Sequence, residues 1–400
     1  MVSLAVTTQP REELVAAFVL CAVLTGCAHT PVRRITMEPI RFEVQPSGEV
    51  QLQEADTAFA AAGEAFSAKR YDEAISTYES LVEKFPGSHF RIPSLYNAGL
   101  ALEAKGDFAA AADHYRRLLA LPETASCSGR ACEDVLDAQF RLGFVYGELK
   151  NWSAQAGVYR QVLDRKNLAL QDRLEAQARY GVAQFQMRDF IASERTLRAQ
   201  LDYYRLHELD ERIESDFFVG MAAYYLGEIA HEQYKILPVR LPEKQMAADL
   251  EAKAQLVLQA QHRYLDTIRV KNPEWATAAG FQIGSLYREF YDDLVGAPVP
   301  PELDTEAREI YLEEVRKKVQ TLLKKAVSIH EKNLLMAERS GVSNEWVTRS
   351  NGEMEALKKL LTPGPAPVLA PDGARAPALP EKPQLKDAPL KDATRTPVPM

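Results

Sequence analysis

Two stretches of this chain follow one pattern, and that pattern leaves few folds open. In the first, Tyr71, Ala74, Tyr78 and Leu81 recur three and four residues apart, and Phe85-Pro86-Gly87 ends the run. In the second, the order returns as Phe108, Ala111, Tyr115, Leu118 and Pro122. Side chains at that spacing share one face of a helix. A small alanine between two large rings lets a neighbouring helix come close, and proline and glycine stop the helix. One helical face written twice along a chain is the mark of stacked units.

The same order of residues resembles the second helix of a tetratricopeptide repeat (TPR). The likeness extends over roughly residues 55–295 and is strongest in the first two units. It implies an all-α solenoid of helix-turn-helix units that binds proteins and is not an enzyme.

First helices of the later units carry a glycine after an apolar residue: Ala98-Gly99, Leu142-Gly143, Tyr180-Gly181, Leu226-Gly227 and Ile283-Gly284. Three of these have a large side chain three positions on, namely Leu102, Tyr146 and Tyr287; Gln184 and Ala230 stand in the other two. A mid-helix glycine costs about 1 kcal/mol relative to alanine. Five at one phase therefore point to close helix–helix approach. Second helices follow with Trp152, Tyr159 and Val162, then Phe190 and Leu197. There the small residue is replaced by Gln155 and Ser193, which predicts looser packing in those two units. The first helix of unit one, Ala58 to Ala65, is alanine-rich and lacks the glycine at that phase, which suits an N-terminal cap.

Glycine-to-glycine intervals run 44, 38, 46 and 57 from Gly99 to Gly284, against about 34 for a bare repeat. The excess predicts insertions between about six units spread over residues 51–361. A long helix is predicted near 243–270, with Leu250, Val257, Tyr264 and Ile268 on one stripe. A second is predicted near 305–339 with Asp304-Thr305 at its start. Its Leu312, Val315, Val319, Leu322, Ala326 and Ile329 form a coiled-coil-like seam, read as the closing element of the solenoid, with a partner-binding helix as the alternative.

Residues 284–361 are similar to the C-terminal part of a tetratricopeptide group found in myxobacteria and relatives. The matching phrases are Phe290-Tyr291-Asp292-Asp293-Leu294, Ala297-Pro298-Val299-Pro300 and Asn344-Glu345-Trp346. That group includes envelope proteins of the adventurous gliding machinery.

Leu14 to Leu24 is an apolar run without a charge, shorter than the roughly 20 residues of a comfortable membrane span. It ends in Leu24-Thr25-Gly26-Cys27, which resembles the lipobox of bacterial lipoproteins. The resemblance implies a signal peptide over residues 1–26 and lipidation of Cys27. It also implies an outer-membrane lipoprotein facing the periplasm, since Ala28 rather than Asp follows. The charged end departs from the usual pattern, because Arg11 stands beside Glu12 and Glu13. Residues 27–50, with Pro31, Pro39 and Pro46, read as a flexible tether. In such a compartment Cys127 and Cys132 suit a disulfide. A metal site is the rival, but no histidine or further cysteine is close by, and zinc needs four ligands. From residue 362 to 400 the chain is rich in proline, alanine and lysine and carries no aromatic residue, a composition that does not fold.

Chemistry is hard to find. His207-Glu208 and His231-Glu232 each lack the second histidine of a zinc-protease helix. There is no phosphate loop and no nucleophile elbow. Neither a catalytic residue nor a metal or cofactor is expected. Net charge is −8 with no basic block, which argues against nucleic acid.

In the tetratricopeptide family the inner groove is lined by first helices. Counted from the glycine phase, the residues this implies are Tyr96, Leu100 and Glu103 in unit two and Phe140, Phe144 and Glu148 in unit three. Units four to six give Val182 and Phe185, then Met221, Tyr224 and Glu228, then Phe281 and Glu289. Rings beside carboxylates suit a peptide or helix with basic residues; rings that fill the inter-repeat core are the alternative. The implied partners are other envelope proteins, with the membrane held through the N-terminal lipid. Two functions compete. One is an envelope scaffold for a machine such as a gliding-motility, secretin or barrel-assembly complex. The other is a cell-wall coordination factor.

Overall fold

The computed structural model describes residues 49–125, 127 and 130–362. The signal peptide, Cys27, most of the tether and the segment from 363 to 400 lie outside the described residues. Within them the regular elements are helices, with no strand.

The helices pair in chain order. α1 (Glu49–Ser67) packs on α2 (Tyr71–Lys84), and α3 (Arg91–Lys105) on α4 (Phe108–Leu119). After the single turn α5 (Pro122–Ala125), α6 (Arg130–Glu148) packs on α7 (Trp152–Leu163) and α8 (Leu170–Gln186) on α9 (Phe190–His207). The last pairs are α10 (Phe217–Ile236) with α11 (Glu243–Arg269) and α12 (Pro273–Val295) with α13 (Thr305–Ser340), followed by α14 (Glu345–Leu361). Each pair also packs on the next, so the fold is an all-α solenoid of six hairpins and a final helix.

Local chemistry explains the tight turns. In the first four hairpins one residue takes a left-handed backbone: Lys69, Gly106, Lys150 and Arg188. The residue that follows starts the second helix. Asp107, Asn151 and Asp189 each accept a backbone N–H three residues on, at 3.1, 3.2 and 3.0 Å. Such caps satisfy one of the orphan donors at a helix start. Arg70 departs from the pattern and instead pairs with Glu73 at 2.7 Å. Between units two and three, a disulfide joins Cys127, which precedes α6, to Cys132 in the first turn of α6.

The glycines of one phase each lie under a second-helix side chain of the same hairpin. A Cβ on Gly99 would stand 2.6 Å from Tyr115, on Gly143 2.5 Å from Tyr159, and on Gly181 2.4 Å from Leu197. Gly227 sits under Tyr264 and Gly284 under His330, at 2.5 and 2.4 Å. In unit one Ala62 occupies that phase, and Asn97 reaches across from α3 to donate to the Tyr78 hydroxyl at 3.3 Å.

Gln155 and Ser193 do not loosen their units. The Gln155 amide donates to the Gly143 carbonyl at 3.1 Å, and the Ser193 hydroxyl donates to the Gly181 carbonyl at 2.8 Å. Both side chains are buried and bond the backbone of the glycine that faces them. A polar residue thus replaces close contact with a hydrogen bond.

Two further expectations change. The added length in the last units lies within hairpins rather than between them: the turn at 237–242 joins α10 to α11, and α11 and α13 run to 27 and 36 residues. Likewise α13 is the second helix of unit six, and α14 is the element that closes the end. α13 buries Leu323, Ala326, Val327, His330, Asn333 and Ala337, whereas Leu312, Val315 and Val319 are half-buried. Trp346, Met354 and Leu357 of α14 complete the last core.

Candidate functional site

First helices of neighbouring units touch, α8 with α10 and α10 with α12, and α12 also touches the closing α14. That contact decides the fate of the residues expected to line a groove. Tyr96 and Leu100 are buried in the core of units two and three. Phe140 is wholly buried, with its ring 6.0 Å from Tyr159. Tyr224 is enclosed by Trp275, Tyr264 and Trp346 at ring separations of 5.1, 5.7 and 6.3 Å. Phe281 packs on Trp346 at 5.5 Å, with the Arg349 guanidinium 4.4 Å above it. Val182 and Met221 belong to the same core. These rings are buried in the core rather than displayed on an open groove. From α8 onward first helices pack directly, so the face beside the glycine meets the next element rather than solvent; Phe140 is instead covered by Tyr159 of its own hairpin together with Ala176 of α8.

The carboxylates divide. Glu103 accepts from the Tyr115 hydroxyl at 2.5 Å and from Arg141 at 3.4 Å. Burial, reinforced by the Glu103 charge, pushes the Tyr115 phenol well above its ordinary range, so it remains a donor. Glu228 is buried and accepts from Tyr264 at 2.6 Å and from Gln282 at 2.7 Å. Glu148 is exposed, and Phe144 and Phe185 are half-buried, Phe185 lying 5.2 Å from Tyr225.

The structure also assembles a cluster that sequence reasoning missed. His231 bridges the Tyr264 hydroxyl at 3.1 Å and Glu289 at 3.0 Å. With Glu228 and Gln282 it ties α10, α11 and α12 together. Burial raises the Tyr264 phenol well above its ordinary value, and the neighbouring Glu228 adds to this. Nearby, Lys253 donates to Asp293 at 2.8 Å and to the Tyr234 carbonyl at 3.0 Å. One signal was present in the sequence: Glu228 and His231 stand three apart and so share a helix face. A histidine, a tyrosine and two carboxylates resemble an acid–base site, but His231 and Tyr264 are fully buried and engage one another. The cluster fixes the register of three helices. Among the described residues, no group of three His, Cys, Asp or Glu side chains is placed to hold a metal ion. Nor is any described helix long and apolar enough to cross a membrane.

The architecture is that of an all-α solenoid built for packing helices side by side. Residues 51–88 and 94–124 match the model of the tetratricopeptide repeat family, so units one and two carry that repeat. No curated protein matches the chain. Among solved structures it is similar to a tetratricopeptide repeat protein from Parabacteroides merdae, with 12% identity and a TM-score of 0.37, covering 76% of this chain and 99% of that one. A TPR repeats protein from Bacteroides fragilis is similar at 14% identity and a TM-score of 0.30, covering 67% of this chain and 98% of that one. The TPR2AB domain of yeast Sti1, solved in a complex with pHSP90, is similar at 15% identity and a TM-score of 0.30, covering 76% and 99%.

Proposed function

We propose that the protein is a non-enzymatic interaction scaffold, lipid-anchored in the bacterial envelope, that holds subunits of a multi-protein machine together. The observation that carries the scaffold reading is the placement of the ionisable groups. Where they cluster, around His231 and around Glu103, they lie in helix seams and bond one another. What the array offers to other molecules is its surface, and tetratricopeptide repeats generally serve protein–protein contact. Leu24-Thr25-Gly26-Cys27 supports the anchor and the outer-membrane location. The phrases within residues 284–361 support a machine of the gliding-motility type.

Chemical cross-linking of native membranes, followed by mass spectrometry of the full chain, tests the scaffold. Reproducible cross-links to one set of envelope proteins are expected. Purified protein that alters wall fragments, with no such cross-links, overturns it. For the anchor, Cys27→Ser should abolish labelling by radioactive palmitate and release the chain from the membrane fraction. Unchanged labelling refutes that part.

A further inference from the structure

Where α11, α12 and α13 meet, the surface opens into a cavity of about 290 Å³. Leu265 and Ile268 come from α11, Ile283 from α12, and Ile329 and Met336 from α13. The floor is fixed. Gly280 lies against Asn333, whose amide donates to the Thr277 carbonyl at 3.0 Å and to Ser350 at 2.8 Å. Along α13 the cavity runs into a second, more open hollow of about 400 Å³ that shares Lys332 and Met336 and adds Leu335 and Arg339. Together they form one trough with an apolar bed, and Leu335 is 44% exposed in it.

Charge on the rim is one-sided. Lys325, Lys332 and Arg339 stand seven residues apart along α13. Among the described residues, no carboxylate lines either hollow. Lys325 donates to the Tyr287 hydroxyl at 2.6 Å, while Lys332 and Arg339 have no ion-pair partner among the described residues. Seven helical residues rise about 10 Å, so the three cations span about 20 Å. One anionic head group meets one or two of them, not all three. A helix with acidic residues at heptad steps presents carboxylates at the same interval as the cations. With side chains a helix is about 10 Å across, and an apolar stripe at i, i+3, i+4 and i+7 is what such a bed receives.

We propose that the α11–α13 trough seats an amphipathic helix of a partner protein, apolar along one stripe and carrying Asp or Glu one heptad apart on its flank. The assignment rests on the scaffold reading and gives it a site on the second-helix side of the array. Methionine in the bed suits the adjustment such docking needs.

Two synthetic helices of three heptads test it, both with leucine at a and d, one with glutamate and one with lysine at the flanking e and g positions. Fluorescence anisotropy with the full chain should show the glutamate helix bound at least tenfold more tightly. Lys332→Glu with Arg339→Glu should reverse that preference. Both positions are exposed, and an unchanged circular-dichroism melt verifies the fold. Equal binding of the two helices, or no effect of the double variant, overturns the trough. In the native host, a photo-cross-linking amino acid at Leu335 should capture an acidic amphipathic segment of another protein. Capture of a lipid, of residues 363–400 of this chain, or of nothing overturns it. If the double variant keeps every envelope cross-link of the unmodified chain, the trough fails while the scaffold stands. If the unmodified chain has no such cross-links, the scaffold itself fails.

Discussion

Replacing Gly227 with alanine sets two known effects against each other. In an open helix the change is favourable by about 1 kcal/mol, since glycine is the poorer helix former. At Gly227 the added Cβ would lie 2.5 Å from both Cδ1 and Cε1 of Tyr264. The ring cannot swing aside. It is wholly buried, and its hydroxyl is held by Glu228 at 2.6 Å and His231 at 3.1 Å. Overpacking of a tight core costs about 1–3 kcal/mol, and moving the ring also disturbs a buried hydrogen bond worth about 1–2 kcal/mol. The net expectation for Gly227→Ala is a loss of about 2 kcal/mol. Gly352 in α14 is the control, because a Cβ there meets nothing within 4 Å. Gly352→Ala should stabilise by a few tenths to about 1 kcal/mol. Urea unfolding followed by circular dichroism reads both, with the midpoints moving in opposite directions. A Gly227→Ala midpoint at or above that of the unmodified chain would refute the claim that glycine is there for close approach.

Three more outcomes are expected. Ser193→Ala removes the buried hydrogen bond to the Gly181 carbonyl and should cost about 1 kcal/mol in the same assay. His330 is pushed down to about 4 by burial, below its ordinary value of 6.5. The unfolded chain then binds a proton that the folded chain refuses, so this contribution is full above pH 6.5 and falls away as the pH drops towards 4. The loss is about 3 kcal/mol at most, and pH-dependent melting of His330→Phe should lack that component. Trp346→Ala empties a buried site against Phe281 and should cost about 3–5 kcal/mol, read as early loss of hydrogen-exchange protection in α12 and α14.

What the sequence determined by itself was the local grammar. The face shared by Tyr71, Ala74, Tyr78 and Leu81 depends only on residues three and four apart. So do the turns, where Asp107, Asn151 and Asp189 cap the helix they precede. The phase of the glycines, and the approach it implies, follow from the same short range. Tertiary structure decided what covers each face. Whether Tyr224 and Phe281 meet a ligand or the next unit depends on Trp275 and Trp346, far along the chain, and on how steeply the hairpins stack. Gln155 and Ser193 look like packing faults until the carbonyls of Gly143 and Gly181 are seen beside them. The trough between α11 and α13 is lined from α11, α12 and α13 at once, a gap that belongs to three helices together and is written in none of them alone.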